Sequence, residues 1–212
     1  NNIPLKLSTT VTRVFGNSRL EAVEVSKVDK NMKPIKGTEE IIECDALILS
    51  VGLIPENELA ESLQVHIENK TKGPKCDAQF MTSVEGIFTC GNATHVNDLV
   101  DYVSESGEIA GECAANYVRG ERKLVNLNTN ENALYVVPQM IDLNSDNSKT
   151  TIYFRSKKVF KDSIVNIYVD DKSVFSKKYS HLKPPEMERI RIDFNKIKLN
   201  ANSKIIFEIN EV

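Results

Sequence analysis

The chain has 212 residues, of which 41% are hydrophobic, so it is long enough to bury a core in one or two domains. Its formal net charge is −3, divided as −6 over residues 1–125 and +3 over residues 126–212. The contrast favours a domain boundary near residue 125, and neither value is large enough to indicate nucleic acid as a partner. The sequence contains neither a signal peptide nor a run of about eighteen apolar residues, so we expect a cytoplasmic protein with no membrane partner.

The first part of the chain predicts antiparallel strands. Thr10–Gly16 and Leu20–Ser26 are typical of a hairpin, because the second run alternates with a period of two and a Gly-Asn-Ser turn separates the runs. Asn31–Gly37 predicts a second turn, and Glu40–Cys44 leads into the next apolar run. We therefore expect a small antiparallel meander.

The apolar run Asp45–Val51 predicts a buried parallel strand, since polar and glycine residues bound it on both sides. Gly52 and Pro55 predict a sharp turn directly after it. An apolar strand followed by Gly-x-x-Pro also occurs in many unrelated α/β proteins, so the run alone identifies no family.

The segment Thr82–Asn92 is the most informative part of the sequence. Gly86 ends a loop, and Ile87–Phe88 predicts a short apolar strand. Gly91 would let the backbone pass close to a bound group, and Asn92 would present its amide at the carboxyl end of the strand, where open α/β sheets bind ligands. The alternative is that Gly91 and Asn92 only close a turn between a strand and a helix.

A helix is predicted from about Asp98 to Arg119, capped by Asn97 or Asp98. One face carries side chains too small for an ordinary core stripe, which indicates close approach to a sheet or to a flat cofactor. These residues are Val103, Gly107, Ala110, Gly111, Ala114 and Val118.

The polar stretch Asn126–Asn132 is predicted to end the α/β part, and the remainder alternates as an all-β region. Short strands at regular spacing indicate a small β-sandwich. The predicted strands are Ala133–Pro138, Thr150–Arg155, Ser163–Val169, Ser173–Tyr179, Glu188–Phe194 and Ile205–Glu208.

The runs Thr82–Asn92 and Cys44–Asn57 resemble two segments of the two-dinucleotide-binding-domain flavoproteins, which include the pyridine nucleotide–disulfide oxidoreductases. The first resembles the family pattern Thr-x-x-x-Gly-Ile/Val-Phe-Ala-x-Gly-Asp, with Asn92 in place of the acidic residue that binds the ribityl chain of FAD. The second is similar to the strand and turn by which such enzymes leave the NAD(P)H domain and re-enter the FAD domain.

The resemblance implies an α/β plus all-β fold class, with an incomplete FAD/NAD(P)-binding, Rossmann-like part followed by a small β-sandwich. Residues 1–52 would be the end of the NAD(P)H-binding domain, and residues 53–125 the C-terminal half of the FAD-binding domain. Residues 130–212 would be the β-sandwich domain, similar to the C-terminal extension of a group of bacterial NAD(P)/FAD-dependent oxidoreductases.

The Gly-rich dinucleotide turn that should accompany these segments occurs nowhere in the 212 residues. We therefore expect the C-terminal part of a longer flavoprotein, with a missing N-terminal half or a complementary chain as its partner. The intact protein would transfer hydride between NAD(P)H and FAD and then to a small-molecule or protein electron acceptor. The isolated chain is expected to be inactive.

The resemblance also implies the cofactor-binding residues. Gly91 and Asn92 would hold the ribityl–pyrophosphate region of FAD, and Asn92 would use its carbonyl and its NH₂ group. The N–H groups of Leu99 and Val100, at the helix start, would stabilise negative charge at the N1–C2=O edge of the reduced flavin. No residue is a candidate proton-transfer catalyst, and no metal site is predicted.

The four cysteines show no C-x-x-C motif and no histidine at metal-ligand spacing, which favours reduced thiols in a cytoplasmic protein. Cys44, Cys90 and Cys113 are expected to be semi-buried. His95 lies in the loop near the proposed flavin site, where a solvent-exposed loop histidine is the favoured interpretation and a role beside the isoalloxazine is the alternative.

Two further hypotheses remain open at this point. The chain could be a non-catalytic binding or assembly subunit, in which a β-sandwich interaction module sits on a scaffold that no longer holds cofactor, and Asn92 slightly favours this. It could also be an unrelated α/β domain, which would require both motifs and their spacing to arise by chance.

Overall fold

The computed structural model describes residues 3–212, which divide into two compact units, one that ends at Gly52 and one that comprises Leu53–Val212. Of the helices within residues 3–212, none combines the length and the apolar character that crossing a membrane requires. The predicted boundary between residues 53–125 and 130–212 falls inside the second unit, because the longest helix there packs against strands that follow residue 130.

The first unit is an antiparallel sheet in the order β1-β2-β3, formed by Thr9–Phe15, Ala22–Lys27 and Glu40–Glu43. The predicted hairpin and the following strand are therefore confirmed. The turn after β1 requires glycine, because Gly16 has φ +123° and a Cβ there would lie 1.9 Å from the carbonyl oxygen of Arg19.

The predicted buried strand Asp45–Val51 is wrong, since this segment forms no strand and its apolar side chains face solvent. Ile48 is 91% exposed and Val51 is 77% exposed. A parallel strand forms only where neighbouring strands accept and donate its backbone hydrogen bonds. Within residues 3–212 no strand pairs with this segment.

The second unit begins with a short helix α1, Glu58–Ser62, and continues through loops joined by isolated bridges. The predicted strand at Ile87–Phe88 is one such bridge, in which Phe88 pairs with Met81. It is shorter than predicted because only one residue finds a partner there.

The main helix, α2, extends from Val100 to Ala115 and is shorter at both ends than predicted. Its N-cap is Leu99, and no side chain caps it. The two predicted caps are engaged elsewhere, because Asn97 donates to the carbonyl oxygen of His95 and Asp98 accepts from the backbone N–H of Met187.

Only part of the small-residue face of α2 packs as predicted, since Ala110 belongs to this face and lies in the core beside the three-stranded sheet. Ser106 and Ala110 are the buried residues of the helix, whereas a Cβ added at Gly107 or Gly111 would meet open space. Val118 lies beyond the end of the helix and is 84% exposed. Among the residues that the structure describes, and apart from the neighbouring backbone of the helix itself, none therefore lies within 4 Å of a Cβ added at either glycine.

The remaining strands form two sheets, which we call the two-sheet region. The predicted polar connection Asn126–Asn132 is wrong at its start, because β4 occupies Leu124–Thr129 with alternating burial. The strand β6 at Met140–Asp142 was not predicted, and each of the six predicted strands is present with shifted ends. The others are β5 Ala133–Val137, β7 Thr150–Ser156, β8 Phe160–Val169, β9 Lys172–Leu182, β10 Glu188–Ile192 and β11 Ile205–Glu211.

The three-stranded sheet has the order β10-β7-β5, and the five-stranded sheet has the order β6-β4-β11-β8-β9. Only the β11–β4 pair is parallel among the pairings of these strands. Both sheets contribute to one hydrophobic core, in which the rings of Phe154 on β7 and Phe207 on β11 have centroids 4.8 Å apart.

A second, smaller core lies between α2 and the three-stranded sheet. Ala110 of α2 packs there with Phe80 and with Tyr135, Val137 and Tyr153 of the sheet. This core attaches the helix and its preceding loop to the two-sheet region, so the candidate site described next rests on β5 and β7.

Candidate functional site

The loop before α2 begins at Gly91, which starts a short 3₁₀ turn through Ala93. Gly91 has φ +58°, in the left-handed region that favours glycine. Its N–H donates a 2.8 Å hydrogen bond to Oγ of Ser106, and an added Cβ would lie 3.1 Å from Cγ1 of Val103. The close approach that the sequence predicts at Gly91 is therefore, in this structure, an approach to α2.

Asn92 is exposed and closes the loop that leads to the helix. Its Oδ1 accepts hydrogen bonds from the backbone N–H of Asn97 at 3.0 Å and from Nδ2 of Asn97 at 3.4 Å. Within residues 3–212, Nδ2 of Asn92 donates to no acceptor. The carbonyl of this side chain thus serves the loop, while its two N–H donors are free of contacts with the described residues.

The start of α2 carries Leu99 and Val100, the other two predicted site residues. Leu99 is 51% exposed and Val100 is 76% exposed. No acceptor among the described residues receives their backbone N–H groups, which precede the first intrahelical bonds. These N–H groups and the positive end of the helix dipole form a donor set for an electron-rich ligand.

The hydrogen bond between Asn92 and Asn97 places the two parts of this donor set at the ends of one closed loop. Asn97 precedes the N-cap Leu99 by two residues, so this hydrogen bond connects the side chain of Asn92 to the segment directly before α2. The four predicted residues, Gly91, Asn92, Leu99 and Val100, lie in this loop and at the helix start that follows it, and their role in cofactor binding stays a prediction.

The prediction of an exposed His95 is wrong, because this side chain is 1% exposed. Its ring lies 5.8 Å from that of Tyr135 and 5.4 Å from that of Tyr153, measured between centroids. Burial, and next the positive charge of Arg155, lower the pKa of His95 to about 4, so the ring is neutral near pH 7. Its Nδ1 has no hydrogen-bond partner among the described residues.

Arg155 on β7 holds the segment between the loop and the helix. Its Nη2 donates to the carbonyl oxygen of Val96 at 3.2 Å and to Oδ1 of Asp98 at 2.5 Å, while Nε donates to Oη of Tyr135 at 2.8 Å. Oδ2 of Asp98 accepts from the backbone N–H of Met187. One guanidinium group thus connects the two-sheet region to the residues immediately before α2.

A second ionic contact lies further along the helix, at Glu105. Its carboxylate accepts from Oη of Tyr153 at 2.9 Å, from Arg189 at 2.5 Å and from Arg191 at 2.7 Å. Burial raises the pKa of Glu105, but the hydrogen bonds from Arg191 and Tyr153 together with the charges of Arg189 and Arg191 outweigh this effect, and the pKa is lowered. Burial and the hydrogen bond to Glu105 raise the pKa of Tyr153 well above its usual range.

A wide groove of about 1280 Å³ runs beside α2. Its walls carry charges of both signs, including Glu105, Glu108 and Glu112 of the helix and Arg119 and Arg191 opposite. The groove therefore offers both acidic and basic side chains to a ligand.

The four cysteines are free thiols, and their burial differs from the prediction. Cys44 and Cys113 are half-buried as expected, whereas Cys90 is exposed and Cys76 is fully buried. Burial raises the pKa of the Cys76 thiol, which therefore stays protonated and unreactive. Within residues 3–212, no group of three or more His, Cys, Asp or Glu side chains could hold a metal ion.

Sequence reasoning missed Arg155 and Glu105, which form ionic contacts between the two-sheet region and the segment that contains α2. One signal was available, since Arg155 stands as the sole charged residue in the otherwise apolar or hydroxylic strand β7, and buried charges in such strands are paired. The partner, Asp98, lies 57 residues away in the chain and could not be identified from spacing.

Comparison with known protein families finds similarity over the first half of the chain. A family model described as "Pyridine nucleotide-disulphide oxidoreductase" matches residues 1–110, which is more than half of the chain and includes the loop and the helix start described above.

Proposed function

This chain belongs to the pyridine nucleotide-disulphide oxidoreductase family, and on that premise we propose that it forms part of an FAD-dependent enzyme that transfers hydride from NAD(P)H to FAD and onward to an acceptor. Membership of the family carries a general redox function. The observation that supports the cofactor is the donor set at Asn92, Leu99 and Val100, which lies within the matched residues.

The donor set fits the chemistry of a flavin nucleotide. The ribityl chain presents hydroxyl groups, and the NH₂ group of Asn92 can donate to one of them. Gly91 would hold the backbone of the same loop in place, because its N–H is fixed by Ser106. We assign Gly91 and Asn92 to the ribityl–pyrophosphate region of FAD.

The N–H groups of Leu99 and Val100 would face the N1–C2=O edge of the ring system. Their partial positive charge, together with the helix dipole, favours negative charge at that edge. Their missing acceptors within residues 3–212 leave them available for this role.

Bound FAD would supply the redox chemistry, by accepting two electrons and a proton from NAD(P)H as hydride and passing the electrons to an acceptor. The residues of this chain bind and orient. His95 is neutral and enclosed by tyrosine rings, so we assign it a packing role and name no proton-transfer residue.

The domain assignment is part of the proposal. We assign residues 1–52 to the end of an NAD(P)H-binding domain, residues 53–125 to the C-terminal half of an FAD-binding domain, and residues 130–212 to a β-sandwich. The shared core of the two sheets supports the last assignment. The four free thiols agree with a reducing, cytoplasmic setting.

The exposed apolar run Asp45–Val51 supports a partner surface. Side chains as exposed as those of Ile48 and Val51 cost free energy in water, and contiguous apolar surface of this kind marks contact sites. We propose that further FAD-domain chain, either the preceding half of the protein or a complementary subunit, covers this run. Without it, the isolated chain would be inactive.

A second candidate function is a non-catalytic binding or assembly subunit. It is favoured by one observation, that the Oδ1 atom of Asn92 already accepts two hydrogen bonds from Asn97. In this case the loop would be self-sufficient and would hold no cofactor, and the two-sheet region would carry the function by binding a partner.

Flavin content separates the two candidates. We expect the intact protein to contain about one FAD per chain, and its Gly91→Val variant to contain much less, because a branched side chain cannot adopt the left-handed backbone beside Val103. The matched control is Gly120→Ala, where the nearest atom to an added Cβ is 3.9 Å away. A folded intact protein that releases no flavin on denaturation would favour the binding subunit.

A further inference from the structure

We infer that Arg155 is a positioning residue for the flavin-facing helix start, so that the two-sheet region, which lies outside the family match, sets the geometry of the cofactor site. This inference rests on the proposed function. The residues that carry it are Arg155, Asp98 and Val96, and none of them is among the proposed cofactor contacts.

Asp98 lies where the loop meets the start of α2. It directly precedes Leu99, the N-cap of α2, so a displacement of Asp98 moves the N–H groups of Leu99 and Val100. Neither Asn97 nor Asp98 caps the helix, and the N-cap residue has no side-chain cap of its own. The helix start is consequently held from outside the helix.

The side chain that holds this segment from outside the helix is Arg155 of β7. Arg155 donates to the carbonyl oxygen of Val96 and to the carboxylate of Asp98 from one nitrogen, and its side chain is only 11% exposed. Nε and Nη1 donate to Oη of Tyr135 and to the carbonyl oxygen of Pro185, which fixes the plane of the guanidinium group. Lysine cannot reproduce this fork.

The ionic contact at Glu105 differs from the contact that Arg155 makes with Val96 and Asp98. Glu105 has three donors, and loss of Arg191 leaves Tyr153 and Arg189 in place. No second cationic side chain among the described residues contacts Val96 or Asp98. Without Arg155, the remaining partner of the Asp98 carboxylate is the N–H of Met187. Removal of Arg155 therefore loosens the helix start, whereas removal of Arg191 leaves the helix attached.

The test uses the intact protein with three variants, Arg155→Lys, Asp98→Asn and the control Arg191→Gln. Asp98→Asn turns an NH₂ group toward Arg155 while its carbonyl can still accept from Met187. We expect the FAD dissociation constant to rise about tenfold in the first two and to stay within about twofold in the control, because charge-assisted fork contacts are lost only in the former.

Amide hydrogen exchange provides a readout that needs no cofactor. The N–H groups of Tyr102 and Val103 donate to the carbonyl oxygen of Leu99, so they report the first turn of α2. We expect faster exchange at these two amides in Arg155→Lys and Asp98→Asn and unchanged exchange in Arg191→Gln.

Unchanged FAD affinity together with unchanged exchange in both variants would overturn the inference. If Arg155→Lys does not fold, the FAD affinity and the amide exchange of Asp98→Asn alone support or overturn the inference. A wild-type protein that binds no FAD would contradict the proposed function instead, and the exchange of Tyr102 and Val103 would then support or overturn the anchoring by Arg155 on its own.

Discussion

Nη2 of Arg122 donates a 2.7 Å hydrogen bond to Oδ2 of Asp77, and the two side chains are 11% and 1% exposed. Nη1 of the same arginine donates to the carbonyl oxygen of Thr82 at 2.7 Å. The pair therefore ties the segment after α2 to the loops before it. Burial raises the pKa of Asp77, although the charge of Arg122 opposes the rise.

This buried pair leads to a prediction about stability. Arg122→Met leaves the carboxylate of Asp77 buried without its cation, so we expect a loss of about 3–5 kcal/mol in the free energy of unfolding. Urea denaturation followed by circular dichroism measures it. The matched control is Arg119→Met, because Arg119 is 90% exposed and lies 3.8 Å from its acidic partner, so its loss should cost less than about 1 kcal/mol. Equal losses in the two variants would contradict this account of the pair.

The neutral, buried His95 predicts a pH dependence. Its pKa is lowered from 6.5 to about 4 in the folded chain, so the unfolded chain binds the extra proton first as the pH falls. The stability contribution is present above pH 6.5 and is lost progressively toward pH 4. The difference of roughly 2.5 pH units corresponds to about 3 kcal/mol.

Denaturation at pH 7 and pH 4.5 in the wild type, His95→Leu and His66→Leu measures this contribution. His66 is exposed and serves as the control. We expect the loss of stability between the two pH values to be smaller in His95→Leu than in the other two proteins. The same pH dependence in all three would show that His95 does not titrate as proposed.

The side chain of Asn92 predicts a pair of opposite outcomes in the intact protein. Asn92→Asp keeps an acceptor for the N–H of Asn97 and offers a second oxygen to a ribityl hydroxyl, so we expect flavin content to be retained or raised. Asn92→Leu removes both functions and leaves a hydroxyl unpaired, at a cost of about 1–3 kcal/mol in binding. Equal flavin content in the two variants would show that Asn92 serves only the loop.

The exposed run Asp45–Val51 predicts rapid amide exchange in the isolated chain. Its N–H groups belong to no strand, whereas the central residues of β8 are hydrogen-bonded on both sides, to β9 and β11. Exchange measured by mass spectrometry should be fast in the first segment and slow in β8. Strong protection of Asp45–Val51 in a demonstrably monomeric chain would contradict the proposal that a partner surface covers it.

How far the sequence predicts this fold depends on where the partner of each residue lies. Six strands of the two-sheet region were predictable because their patterns are local, as in the alternating burial along β8. β4 was missed because the exposed asparagines that alternate with the buried Val125 and Leu127 make the segment resemble a polar loop. Asp45–Val51 was wrongly predicted because an apolar run forms a buried strand only when neighbouring strands are present.

In the candidate site, too, features that depend on one continuous segment could be proposed from the sequence, whereas features that depend on distant residues could not. Gly91, Asn92, Leu99 and Val100 could be proposed from the sequence because they lie in one continuous segment with a recognisable spacing, and their role in cofactor binding stays a prediction. The burial of His95 was not, because the rings that enclose it belong to Tyr135 and Tyr153 on distant strands. Long-range contacts of this kind leave no periodic trace in the sequence.

We propose that this chain completes an FAD site served by a nicotinamide nucleotide, and the decisive measurement is the visible spectrum of the intact protein during anaerobic addition of NADH or NADPH. We expect flavin absorbance at about one FAD per chain, bleached by one of the two nucleotides and restored by an electron acceptor. A folded intact protein without flavin absorbance, or with flavin that neither nucleotide bleaches, would contradict it.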